Sequence, residues 1–78
     1  MPYLSDTDTR FVVCINNAEY SAALERRKIY QLVPDEVASR QHLVRVIDES
    51  GEDYLYPDTY FLQVDLPEAI KDALLRAA

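Results

Sequence analysis

A single glycine, a single cysteine and no tryptophan set the first limits on this 78-residue chain. One cysteine forms no internal disulfide, so packing alone must hold the fold, and Cys14, inside an apolar run, reads as a buried inert thiol. One glycine excludes a glycine-rich phosphate loop, and neither a CxxC pair nor a histidine pair offers zinc-ligand spacing. Long apolar runs are missing too. Nothing spans a bilayer, and the opening Met-Pro-Tyr-Leu-Ser-Asp-Thr-Asp-Thr has neither the basic start nor the apolar stretch of a signal peptide. A cytoplasmic protein that leaves membranes alone is the simplest expectation. Positive charge is also scarce: 8 Lys+Arg against 14 Asp+Glu give a net charge of -6. That field repels phosphate backbones, and the one basic cluster, Arg26-Arg27-Lys28, follows Glu25 and is too short to reverse it. Nucleic acid is therefore a disfavoured partner.

What is present suits one small globular domain. The composition is 49% hydrophobic and 28% charged, within the range of folded proteins, and the length allows one modest core. Residues 1–9 read as a flexible leader with little to bury. Arg10 to Ile15, rich in β-formers, predicts a first strand, broken by Asn16-Asn17. Ala18 to Arg27 has helical propensity, but an isolated helix that short is marginal. It is read as an excursion loop with Leu24 as its core anchor. Lys28 to Val33 predicts a second strand, closed by Pro34-Asp35, and Asp35 to His42 a polar connection with room for one helical turn.

The stretch from Leu43 to Phe61 carries the clearest pattern. Leu43 to Asp48 and Asp53 to Tyr56 flank a polar turn containing Gly51, which predicts a hairpin with the glycine at positive φ. Phe61 to Val64 follows as a fifth strand after a turn from Pro57 to Tyr60. Asp65 and Glu68 are spaced as a capping box with Pro67 in the first turn. Ile70, Ala73, Leu74 and Ala77 then recur at helical spacing, with Lys71, Asp72 and Arg76 facing away, predicting a helix that packs on the same domain. The expected fold is mainly β: a five-stranded, strongly bent barrel over 10–64, with an amphipathic C-terminal helix over 65–78.

The run Gly51-Glu52-Asp53-Tyr54-Leu55-Tyr56-Pro57-Asp58-Thr59-Tyr60-Phe61 resembles the ending of SH3 domains, in which a glycine-containing turn leads through a strand to a Pro-x-x-Tyr turn. Ala23-Leu24-Glu25-Arg26-Arg27-Lys28-Ile29-Tyr30 is similar to the segment where the long first SH3 loop returns to the second strand. The resemblance covers roughly Phe11 to Val64 and extends to small bacterial and phage proteins of SH3-like type. It implies an SH3-like barrel, and Pro57 and Tyr60 match positions that contact ligand in that family. The first-strand aromatics and groove tryptophan of SH3 domains have no counterpart here, so the aromatic walls a polyproline helix needs are missing.

Six tyrosines in so short a chain point to a contact surface, because tyrosine joins large apolar area to a polar tip. The candidate partner-binding residues are Tyr20, Tyr56, Pro57 and Tyr60. The acidic hairpin tip, Asp48, Glu49, Glu52 and Asp53, lacks the ligand ladder of a calcium loop and reads as a solvated tip. His42 has no base or nucleophile assigned to it, and neither Ser39 nor Cys14 pairs with it in sequence, so no catalytic set, cofactor site or metal site is expected. These readings favour a non-enzymatic module that binds a protein or peptide, as a monomer or weak homodimer. The alternative is a nucleic-acid-associated small barrel using Arg26, Arg27 and Lys28.

Overall fold

The structure is a computed structural model that describes residues 10–77; the leader expected over 1–9 lies outside the described residues. The described residues form five strands: β1 (Arg10–Cys14), β2 (Ile29–Val33), β3 (Leu43–Ile47), β4 (Asp53–Pro57) and β5 (Phe61–Val64). A short helix, α1 (Glu36–Arg40), joins β2 to β3, a 3-10 turn (Asp58–Tyr60) joins β4 to β5, and α2 (Glu68–Arg76) follows β5. All neighbouring strands are antiparallel, in the order β4-β3-β2-β1-β5.

The expected barrel closure is absent: the sheet is open, with β4 and β5 as its two edges. The register gives a reason on the β4 side. Asp48 N–H donates to Glu52 O and Asp58 N–H to His42 O. Bonded and non-bonded pairs alternate in an antiparallel ladder, so Leu43↔Pro57, Arg45↔Leu55 and Ile47↔Asp53 are non-bonded pairs whose β4 backbone groups point to the free edge. Pro57 therefore costs no ladder bond and withholds a donor from any further strand.

One face of the bent sheet encloses the core. Val12 and Cys14 of β1, Tyr30 and Leu32 of β2, Val46, Tyr56 and Phe61 pack around Leu24, whose relative exposure is 0%. Tyr56 and Tyr30 each meet Phe61 edge-on, at ring-centroid distances of 6.2 and 6.5 Å. Thus the β1–β2 connection is a loop anchored by Leu24, as its length predicts. Side chains satisfy its backbone: Asn17 Nδ2, from within the loop, donates to Leu24 O, and Glu25 N–H donates to Tyr30 Oη of β2 at 2.7 Å. A bulge returns the loop to β2, since Cys14 faces both Arg27 N–H and Lys28 O and Arg27 adopts φ 73°.

The polar connection after β2 holds the short helix α1, five residues long, where the sequence predicts room for one helical turn. Asp35 caps α1 by accepting from Ala38 N–H, and its other oxygen accepts from Arg45 Nε, both at 3.0 Å. Those two bonds, the backbone one foremost, hold the Asp35 carboxyl below its ordinary value. His42 ends the helix at φ 62°, in the left-handed conformation usual just past a helix C-cap.

Two expectations for the terminal helix are corrected. The capping box does not form: Pro67 is the N-cap and no side chain caps the helix, because the helix starts too late for Asp65 to reach its first amides. The stripe Ile70, Ala73, Leu74 and Ala77 is exposed, while Lys71, Asp72 and Leu75 are half-buried. Leu74 and Ala77 line a cavity of about 460 Å³ with Phe11, Ile29 and Gln31, which places α2 over the lower part of the outer face of β1 and β2.

Candidate functional site

The structure brings three of the four candidate residues together in direct contact. Tyr20, in the β1–β2 loop, sets its ring edge-on against Tyr56 at 5.1 Å and against Tyr60 at 6.0 Å. Tyr20 is held there by a tight turn, with Ala23 and Leu24 N–H both donating to Tyr20 O. Tyr60, in the 3-10 turn, donates its hydroxyl to Ala18 O at 3.0 Å and so ties the loop to the end of β4. Pro57 is half-buried at the start of that turn. The four are not equally available. Tyr20 is 40% exposed, whereas Tyr56 is 4% exposed and supports the cluster from the core.

Tyr56 is fixed by a polar network at the hairpin tip. Its hydroxyl donates to Asp48 Oδ2 at 2.5 Å, while Ser50 donates through both Oγ and N–H to Asp48 Oδ1. Burial pushes the Asp48 carboxyl up, and the bonds from Ser50 and Tyr56 outweigh it, holding the acid below its ordinary value. Burial, reinforced by the same carboxylate, pushes the Tyr56 hydroxyl well above its ordinary value. Glu49 is the second node. Its Oε1 accepts from Lys28 Nζ at 3.0 Å, with that ammonium 2.7 Å from Oε2, its Oε2 accepts from Tyr30 Oη at 2.6 Å, and its N–H donates to Ala23 O. Lys28 and then Tyr30 lower the Glu49 carboxyl. The tip read as solvated is therefore, at Asp48 and Glu49, a clamp that fastens the β1–β2 loop to the β3–β4 hairpin. Sequence carried one signal of this: Asp48 continues the alternation of Val44 and Val46, which face the core.

Cys14 is fully buried, with its thiol directed at Asn16 O, and burial pushes that thiol up. His42 carries an exposed ring 3.8 Å from Asp58 and meets Ser39 through its backbone, His42 N–H donating to Ser39 O. Lys28 of the basic cluster is engaged by Glu49. Among the described residues no group of three His, Cys, Asp or Glu is arranged to hold a metal ion. None of their helices is long and apolar enough to cross a membrane.

Compared with known protein families, curated proteins and solved structures, the chain matches none.

Proposed function

We propose that this chain is a small, non-enzymatic protein–protein interaction module of SH3-like architecture, which docks a peptide on the surface formed by Tyr20, Pro57 and Tyr60. Three features support the SH3-like reading: the strand order, the long first loop anchored by Leu24, and the 3-10 turn before the last strand. The observation that carries the function is Tyr20. A large aromatic ring left 40% exposed is braced from two sides by Tyr56 and Tyr60, so a partner would meet a surface already ordered. Tyr56 acts as its support. With no tryptophan in the chain, the surface lacks the aromatic wall of a polyproline groove, so the peptide is of another type than PxxP.

The test is affinity capture from native extract with wild type, Tyr20→Ala and Tyr60→Ala in parallel, each checked for an unchanged far-UV spectrum. A protein retained by wild type and lost from both variants is the expected result. Equal capture by all three would remove this surface from consideration.

A further inference from the structure

A second surface lies on the opposite face of the sheet. Alternation along β1 sends Val12 and Cys14 into the core and Val13 outward, with Ile15 continuing that side. Val13 is paired with Ile29 of β2 and Leu62 of β5, so the three form one row across three strands. The row is left open: Leu62 is 57% exposed, Ile15 47% and Ile29 36%. Leu74 and Ala77 of α2 share a cavity with Phe11, Ile29 and Gln31, so the helix borders the Ile29 end of the row, while Val13, Ile15 and Leu62 do not line that cavity.

Charge gives this patch its character. Arg26 and Arg27 border it and line a cavity of about 280 Å³ with Val13, Cys14 and Ile15. Both arginines are exposed, and among the described residues neither makes an ion pair, although the chain as a whole is acidic. Lys28, one residue on, is neutralised by Glu49. The bulge at Arg27, closed by a 2.7 Å bond from its N–H to Cys14 O, sets the two guanidinium groups at the rim of the apolar row.

We propose that this face binds an acidic amphipathic helix from a partner protein. Three adjacent strands span about 10 Å, close to the diameter of one helix. The helix would lay leucine-like side chains along Leu62, Val13 and Ile29 and pair carboxylates with Arg26 and Arg27. Guanidinium forks match carboxylates bidentately, and a contiguous exposed apolar row is the usual mark of a docking site. The surface is separate from Tyr20 and Tyr60, and the two can be tested independently.

The experiment is fluorescence anisotropy with a labelled helical peptide of leucine and glutamate in amphipathic order, and with its lysine-for-glutamate counterpart. The full chain is compared with Arg26→Glu/Arg27→Glu, Leu62→Ser and Tyr20→Ala. Expected is binding of the acidic peptide that weakens with salt and falls by about tenfold or more in the first two variants. Tyr20→Ala should bind as wild type does, which separates this surface from the one proposed above. All altered side chains are exposed, and circular dichroism checks that each variant is folded. No binding of the acidic peptide, equal binding of the basic one, or unchanged binding by the double arginine variant would overturn the proposal. So would self-association of the wild type abolished by Leu62→Ser, which would assign the face to a second copy of this chain.

Discussion

Replacing Tyr56 by phenylalanine removes one oxygen and leaves the ring in the core, so it isolates the bond between the Tyr56 hydroxyl and Asp48. That bond spans 2.5 Å inside the fold, and Asp48 itself is 7% exposed. Hydrogen bonds to a charged group are worth about 1.5–3 kcal/mol, and a carboxylate oxygen left buried without its donor keeps the desolvation cost. For a domain this small each kcal/mol moves the melting temperature by about 4–8 °C, so Tyr56→Phe should melt about 6–24 °C lower at neutral pH. The pH dependence has a definite sign. The folded Asp48 carboxyl lies below its ordinary value of 3.8, so its contribution is complete above that value and is lost as the pH falls through the lower folded value. The gap between wild type and variant should therefore be constant around neutrality and narrow in strong acid. Thermal melts followed by circular dichroism at descending pH measure both effects. A variant melting within about 3 °C of wild type at neutral pH, or a gap that widens in acid, would refute this account of the clamp.

Leu24→Ala should cost about 2–5 kcal/mol, because Leu24 is completely buried at the centre of the core. In so small a domain that is most of the stability, read as collapse of amide dispersion in a proton–nitrogen correlation spectrum. His42→Gly should act in the opposite direction. The residue sits at φ 62° with its ring in solvent, so glycine relieves about 1 kcal/mol of backbone strain, visible as a higher urea midpoint.

The strands were legible because each lies between strong punctuation. Phe61–Val64 coincides with the predicted fifth strand, and β1 to β4 differ from expectation by one residue at an end. Gly51 adopts φ 86° at the hairpin turn, where alternation on both sides had required it. The candidate site was legible in part. The likeness to SH3 segments points only to Pro57 and Tyr60, while the richness of the chain in tyrosine points to both Tyr20 and Tyr56, which lie 36 residues apart, as contact residues. Their different roles, one exposed and one buried, had no local signal. Parity along a strand says which face a side chain takes and nothing of what else packs there.

The sequence by itself determined where the strands lie, where they turn and that Leu43–Asp48 and Asp53–Tyr56 form a hairpin, since these follow from periodicity and from residues with restricted φ. Tertiary structure decided the rest. It left the sheet open with β4 and β5 as its edges, split the apolar stripe of α2 between solvent at Ile70 and a cavity beside the sheet at Leu74 and Ala77, and made Asp48 and Glu49 a clamp instead of a solvated tip. Each of these depends on groups far apart in the chain: the carboxylate of Glu49 finds Lys28 and Tyr30 only after β2 lies beside β3. Such contacts have no period to be read, because their energy exists only once the backbone has brought the partners within hydrogen-bond distance and excluded water around them.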